Sequence, residues 1–318
     1  MTVDSATSVA ESASTSIDTH HDEQYQHVDP DVRTILKESE SVRDGAAKED
    51  YWIKVPLAEE AVSTVRGLVT STATTRPDCA LIMGDTNMGK SATIKRLRKI
   101  FPYEKERIDE TTMRTISPFV STEVPGDSTP KKMLENILYD MEVDSRLIPV
   151  YMKNHSRALN IIADAKVRVV ALNAVQQFDN AGLRTQEFIR GLLLELSERG
   201  ISLVFVGSAA AEIWVDADES LGNRTLYRHV LRPFALGKKY QSFLAAAERR
   251  LFLREPSNLA LLHAERLHGM TNGSVGENVS LLRLASRSAI GKEEMITEAV
   301  LNRIKWTSPT ERRNLTEE

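Results

Sequence analysis

The chain has 318 residues, of which 41% are hydrophobic and 27% are charged. This composition excludes a collagen-like, mucin-like or wholly disordered chain, and the single cysteine, Cys79, excludes an internal disulfide and a multi-cysteine zinc site. The formal net charge of −4 is uneven, because residues 1–32 carry seven acidic residues and no Lys or Arg. The remainder is mildly basic, which permits a nucleic-acid partner without requiring one.

The N-terminal segment is predicted to lack a fold of its own. Residues 1–32 are rich in Ser, Thr and Asp and poor in large apolar side chains, so they are interpreted as a disordered acidic tail, and residues 33–50 as a linker. The tail has neither the basic start nor the apolar core of a secretory signal, and no apolar run approaches the roughly 18 residues of a membrane span. A cytoplasmic location without membrane contact is therefore expected.

Residues 51–236 alternate between strand and helix patterns. An amphipathic helix follows Pro56, with apolar residues recurring at helical spacing. Short apolar runs, typical of buried strands, then alternate with helical segments; they span residues 79–84, 117–124, 167–175, 201–208 and, less regularly, 228–234. This alternation predicts an α/β domain with a parallel five-stranded sheet flanked by helices on both faces.

The strand pattern ends after residue 236. Residues 237–306 carry several helical patterns in succession and are predicted to form a separate helical subdomain. The polar residues 307–318 that follow are interpreted as a flexible C-terminus.

The most specific motif is a phosphate-binding loop. It fits the pattern G-x-x-x-x-G-K-[ST], stands between a strand pattern and a helix pattern, and consists of Gly84, Asp85, Thr86, Asn87, Met88, Gly89, Lys90 and Ser91. Backbone N–H groups of such a loop cradle phosphate oxygens, and glycines let the backbone approach them without a Cβ clash. Lys90 is expected to neutralise the β- and γ-phosphates and the Ser91 hydroxyl to bind Mg²⁺. The predicted ligand is ATP with Mg²⁺.

With this loop in place, the chain resembles the AAA+ regulators of DNA transposition of the TniB and TnsC type, over residues 50 to 305. The loop GDTNMGKS is close to the family pattern G-D-T-N-N-G-K-[ST], and the further matches, in chain order, are Trp52-Ile53-x-x-Pro56, Glu123 to Asp127, Val206-Gly207-Ser208 and Asn223-Arg224. The resemblance implies an AAA+ P-loop domain whose helical subdomain, residues 237–306, is a lid. It also implies that Trp52 lies beside the adenine, that Ser208 ends the sensor-one strand, and that Arg224 reaches a neighbouring subunit's nucleotide.

Three departures from the family pattern concern hydrolysis. The third strand should end in Asp-Glu, which support Mg²⁺ and polarise the attacking water, but it ends in Asn173-Ala174. Asp164 and Asp179 are the nearby carboxylates, and neither has a suitable position in the pattern to replace them. The lid motif G-x-[IV]-G-R has Glu277 in place of its arginine. A carboxylate repels a triphosphate, so either Glu277 points elsewhere or the lid has a different position. The sequence therefore predicts ATP binding with slow or absent hydrolysis, and no catalytic residue.

The resemblance also implies partners. Members of the family assemble as rings or filaments around duplex DNA and act with a transposase. By this resemblance, Lys131 and Lys132, at the start of the helix after the second strand, would contact DNA phosphates. Basic residues at a helix start oppose the helix dipole, which is a weak indication of an external anion. No segment is of a kind that reads bases, so sequence-independent binding is expected.

Two alternatives stay open at the level of sequence. The chain could be an active, DNA-stimulated ATPase whose missing carboxylates come from elsewhere, such as a neighbouring subunit. It could also be a nucleotide-bound scaffold of another P-loop lineage that has no role on DNA.

Overall fold

The computed structural model describes residues 25–72, 74–108 and 113–314. Most of the predicted acidic tail, residues 1–24, and the last residues, 315–318, lie outside the described residues. Within the described ranges, no helix combines the length and apolar character that crossing a bilayer requires.

A parallel sheet forms the centre of the α/β domain. The strands in the described residues are β1 (Cys79–Gly84), β2 (Glu104–Arg107), β3 (Met113–Ile116), β4 (Phe119–Glu123), β5 (Val169–Asn173), β6 (Ser202–Gly207) and β7 (Thr225–Leu231). Five of them pair in the order β4-β5-β6-β1-β7, and every pairing in this sheet is parallel. Strands β2 and β3 form a separate antiparallel pair. The predicted five-stranded parallel sheet is confirmed.

Helices surround this sheet and continue beyond it. In the described part of the chain they are α1 (Pro30–Leu36), α2 (Glu40–Ala46), α3 (Pro56–Thr70), α4 (Lys90–Ile100), α5 (Pro130–Asp140), α6 (Ile148–Tyr151), α7 (His155–Asp164), α8 (Leu183–Glu198), α9 (Ala209–Asp216), α10 (Glu219–Arg224), α11 (Lys238–Glu248), α12 (Leu259–Leu262), α13 (Ala264–Thr271), α14 (Val275–Ala289), α15 (Glu298–Arg303) and α16 (Pro309–Asn314). A 3-10 helix, Val175–Asn180, follows β5. Helices α11 to α15 form the lid.

Two hydrophobic cores lie on the two faces of the sheet, because alternate strand residues point to opposite faces. One core joins strand residues such as Ile82 and Ala171 to α3, α4 and the lid. The other joins Leu81 and Leu172 to α5, α7, α8 and α9. Burial on both faces explains why the strand sequences are almost continuously apolar.

The prediction that residues 33–50 form a linker is wrong. They contain most of α1 and all of α2, and α1 buries Val32 and Leu36 in the core that includes the lid. Arg43 is fully buried and donates to both carboxylate oxygens of Glu294, at 2.6 and 2.7 Å. Two further ion pairs connect residues 33–50 to the lid, Asp44–Arg287 and Asp50–Arg283. The prediction of disorder is also wrong for residues 25–32, the end of the tail, which include the start of α1 and pair with the lid through Asp29–Arg249 and Asp31–Arg250. These partners are distant in sequence, so the local pattern of residues 33–50 does not reveal them.

Two other expectations are corrected. The last strand covers Thr225–Leu231 rather than 228–234, because Pro233 lacks an N–H donor and restricts the residue before it. The C-terminus expected to be flexible contains α16. Arg312 of this helix forms an ion pair with Glu277 of the lid.

Candidate nucleotide-binding site

The phosphate loop lies at the carboxyl end of β1, where the motif predicts it. The chain turns through left-handed conformations at Asn87, with φ 64°, and at Gly89, with φ 92°, and α4 begins at Lys90. A residue with a Cβ is strained at the φ of Gly89. Among the described residues, no side chain caps the start of α4. The first N–H groups of the helix are therefore available to an anion.

The two chemically important side chains of the loop differ in their surroundings. The Lys90 ammonium is partly buried and donates to the carbonyl oxygens of Gly84, at 2.5 Å, and Asp85, at 2.7 Å. Burial lowers the pKa of Lys90, and the Asp85 carboxylate offsets part of this shift. Ser91 is exposed on the first turn of α4.

A cleft of about 840 Å³ adjoins the loop. Its walls come from the phosphate loop and α4, from residues 50–55 before α3, and from the lid helices α11 and α14. Trp52 lines it and donates its indole N–H to Glu59, at 2.7 Å. Apolar groups from opposite sides, including Ala92 and Val279, make part of the wall suitable for an aromatic base.

The lid contacts the phosphate loop directly. The carbonyl oxygen of Asn87 accepts from the backbone N–H of Gly276, at 2.8 Å, and from the hydroxyl of Ser274, at 3.2 Å. A Cβ at Gly276 would come within 2.8 Å of the same carbonyl oxygen, so only glycine fits at this contact. The Asn87 side chain donates to Glu277 at 2.8 Å. Glu277 is 6% exposed and also accepts from Arg312.

At the end of β5, Asn173 and Ala174 stand where the family pattern has Asp and Glu. The Asn173 amide donates to the Ser121 hydroxyl of β4, at 2.9 Å, and Ala174 follows in a left-handed conformation with φ 59°. Asp164 ends the helix that leads into β5, so it lies where the strands begin, whereas the phosphate loop lies at their carboxyl ends. Asp179 is exposed on the 3-10 helix. The structure therefore brings neither carboxylate to Asn173 in place of the missing pair.

Sequence reasoning missed a different carboxylate, Glu123. It ends β4 in register beside Asn173, and paired residues of neighbouring parallel strands point to the same face. That face is the one covered by α4, because Ile94 and Leu97 of α4 share a core with Phe119 and Ala171. Desolvation raises the pKa of Glu123, Asp140 adds to the rise, and Arg98 opposes it. The turn motif Glu123 to Asp127 contained the residue, but only the strand register shows its neighbour.

Ser208 lies at the next strand end. It follows β6, and its backbone N–H donates to the side-chain carbonyl of Gln176, at 3.3 Å. Gln176 belongs to the 3-10 helix after β5, so this contact links the ends of β5 and β6 at the carboxyl edge of the sheet.

Arg224 lies where the strands of the sheet begin, whereas the phosphate loop lies at their carboxyl ends. It ends α10 directly before β7, whose first residue, Thr225, pairs with Cys79 at the start of β1. Its guanidinium donates to the Ser197 hydroxyl at 2.7 Å. Arg224 therefore cannot act on the nucleotide of its own chain, and a role toward a neighbouring subunit stays a prediction.

Lys131 and Lys132 lie on the first turn of α5, at the protein surface. Their side chains are 72% and 42% exposed. Lys132 contacts both oxygens of Asp127, at 2.6 and 2.5 Å, and Lys131 lies 3.9 Å from Glu135. Solvent weakens exposed ion pairs, so a DNA phosphate can compete for both lysines.

The family is shown by sequence. Residues 43–234, more than half of the chain, match the family described as bacterial TniB protein. The chain belongs to the TniB family. This match confirms the resemblance found from the motifs, and it includes the phosphate loop and the ends of β4, β5 and β6. No curated protein matches the chain in sequence.

Solved structures share the fold of this TniB family member. The Aeropyrum pernix ORC2 protein, in ADPNP–ADP complexes, is 15% identical with a TM-score of 0.55, over 81% of this chain and 70% of that one. The Aeropyrum pernix ORC1 protein in complex with DNA is 13% identical with a TM-score of 0.52, over 86% of this chain and 69% of that one. Together with the sheet order and the C-terminal lid, these likenesses confirm the AAA+ P-loop fold.

Proposed function

We propose that this protein is an ATP-binding regulator of DNA transposition that assembles on duplex DNA when nucleotide is bound and acts with a transposase. Its hydrolysis of ATP is slow or absent. One contrast carries the proposal: the phosphate loop is complete and held by the lid, whereas the end of β5 lacks both expected carboxylates.

The loop and the cleft suit ATP. Phosphate oxygens would take the N–H groups at the start of α4, and the Lys90 ammonium would turn to them from the carbonyls of Gly84 and Asp85. Trp52 and the apolar wall would hold the base. Ser91 is the loop hydroxyl for Mg²⁺, which proteins usually bind through few side chains together with substrate phosphates. This fits the described residues, in which no group of three or more His, Cys, Asp or Glu could hold a metal. Bound Mg²⁺ would neutralise phosphate charge.

Slow turnover follows from the side chains at the end of β5. A general base commonly contributes a factor of roughly 10² to 10⁴ to the rate. Asn173 can orient a water through its amide but carries no charge, and the methyl group of Ala174 can neither orient nor deprotonate one. Nucleotide then serves as a structural element or as a switch between subunits.

A second candidate function is a slow ATPase that uses Glu123. The in-register position of Glu123 beside Asn173 favours it, and a raised pKa makes a carboxylate a stronger base near neutral pH. This candidate replaces the subunit-shared site with a carboxylate of the same chain. It differs from the first proposal in the residue that activates water, because any turnover would then depend on Glu123.

DNA binding is supported by the family and by the surface position of Lys131 and Lys132. Each subunit would contribute a weak phosphate contact. Subunits joined through nucleotide, with Lys90 of one and Arg224 of the next on either side, would repeat that contact along the duplex. Repetition strengthens weak contacts through effective concentration.

The test is a mobility-shift titration of duplex DNA with the full chain, with and without ATP and Mg²⁺, over a series of salt concentrations. The parent should bind only with ATP, without sequence preference, and Arg224→Ala should lose binding. Arg146→Ala, which removes an exposed arginine paired with Asp144, is the matched control and should bind as the parent does. Binding that is indifferent to ATP, or unaffected by Arg224→Ala, contradicts the proposal.

A further inference from the structure

We propose that Arg312 is a positioning residue for the nucleotide site: through Glu277 and Asn87, the C-terminal helix holds the phosphate loop and sets its affinity for nucleotide. The proposal deepens the proposed function and rests on nucleotide binding at the phosphate loop. It assigns a role to the C-terminal segment, which the sequence predicted to be flexible.

An unbroken series of contacts connects the C-terminal helix with the loop. Arg312 donates to one carboxylate oxygen of Glu277, and the other oxygen accepts from the Asn87 side chain. Asn87 is the loop residue whose backbone carbonyl is also fixed by Gly276 and Ser274. The loop is thus fastened to the lid at one residue, and α16 is fastened to the same lid carboxylate.

Arg312 is itself held in place. Its guanidinium lies over the ring of Trp306, 5.7 Å from the ring centre, and the Trp306 indole N–H donates to the carbonyl oxygen of Met270, at 2.8 Å. Both Trp306 and Met270 pack against the core that contains the lid. The contact with Glu277 therefore belongs to a packed unit.

Charge gives the contact its expected effect. Glu277 is buried, and a buried carboxylate without a cationic partner is costly. It also contacts the loop that would bind phosphates, so an uncompensated negative charge there repels a nucleotide. Arg312 cancels that charge through the carboxylate oxygen that Asn87 does not use. The lid position where the family has an arginine is thus neutralised by an arginine from the C-terminal helix.

The charge of Glu277 therefore predicts whether each substitution weakens or strengthens ATP binding. Arg312→Ala leaves the Glu277 charge uncompensated and should weaken ATP binding. Glu277→Gln keeps an acceptor for Asn87 but removes the repelling negative charge, so ATP binding should be tighter. In the Glu277→Gln background, Arg312→Ala should have little effect. Arg312→Lys restores a positive charge and should recover most of the affinity.

The experiment is calorimetric titration of ATP into the parent, these variants and Arg303→Ala, a matched control that breaks the exposed pair with Glu293. Arg312→Ala should raise the Kd by a factor typical of coupled sites, roughly 5- to 150-fold, and raise it more for ATP than for ADP. Melting curves without nucleotide report folding separately, because a merely structural role would lower the melting temperature without the difference between ATP and ADP.

The inference is overturned if Arg312→Ala binds ATP as the parent does, if it costs the same affinity in the Glu277→Gln background, or if Arg303→Ala weakens binding equally. If the parent itself binds no ATP, or if Lys90→Ala leaves binding intact, the proposed function fails instead.

Discussion

A P-loop protein uses the ends of two strands, here β1 and β5. In this molecule the end of β1 has the residues of the family pattern, and the end of β5 does not. At the end of β1 the loop has its glycines, its lysine and its hydroxyl, and the lid fixes it through Asn87. At the end of β5, Asn173 is engaged with Ser121, and Ala174 has no polar side chain. Both ends lie at the same edge of the same sheet.

The difference between the two strand ends separates the binding of ATP from its hydrolysis. Phosphate binding depends mainly on backbone N–H groups and one cation, and a folded loop supplies both. Water activation depends on a carboxylate at one position, and a single substitution removes it. A chain can therefore keep the nucleotide as a structural ligand after losing the means to hydrolyse it.

Restoring the expected carboxylates should give the largest effect. Asn173→Asp combined with Ala174→Glu should raise ATP hydrolysis by roughly 10²- to 10⁴-fold, the usual contribution of a general base. Phosphate release at saturating ATP, with and without DNA, measures it. An unchanged rate in a variant that still binds ATP would mean that the end of β5 does not limit turnover.

Removing the loop cation should abolish nucleotide-dependent stabilisation. At ATP ~100 times its Kd, the free energy of unfolding of the parent should rise by about 2.7 kcal/mol, and Lys90→Ala should show no rise. Thermal melting with and without ATP and Mg²⁺ measures this, with Lys292→Ala, an exposed lysine of the lid subdomain, as control. A rise that persists in Lys90→Ala would place nucleotide elsewhere.

Glu123→Gln distinguishes the two candidate functions. If the slow ATPase exists, this change should lower its rate by about tenfold or more, because the amide cannot accept a proton. The parent rate should also fall as the pH drops through the raised pKa of Glu123, since only the deprotonated form acts as base. Asp179→Asn is the control. Equal rates in parent and Glu123→Gln would eliminate Glu123 as the base.

The smallest effect concerns DNA. Lys131→Ala combined with Lys132→Ala should weaken DNA binding uniformly across sequences and reduce the salt slope by about 0.9 for each phosphate that the lysines no longer neutralise. Asp127→Asn, which releases Lys132 from its ion pair, should change affinity in the opposite direction. Mobility shifts at several salt concentrations measure both. A double variant that coats DNA as well as the parent at moderate salt contradicts this interface.

Local patterns in the amino-acid sequence are sufficient to identify the nucleotide loop and the sheet. The phosphate loop is a contiguous motif of eight residues, Gly84 to Ser91. The strands follow from continuous apolar runs between helices, and Asn173-Ala174, where the family pattern has Asp-Glu, can be seen in two adjacent letters. These features depend on the preferences of neighbouring residues, so they can be found without knowing what lies across the fold.

Contacts between segments that are distant in sequence could be found only from the tertiary structure. The fold places Glu123 beside Asn173, because parallel strands pair across a long connection whose register no local pattern gives. It turns residues 33–50 from an expected linker into helices that pack with the lid, through partners such as Glu294 that are more than 200 residues away. It also brings Arg312 to Glu277. A charged side chain finds its partner by three-dimensional proximity, and a polar surface segment has the same composition whether it is free or docked.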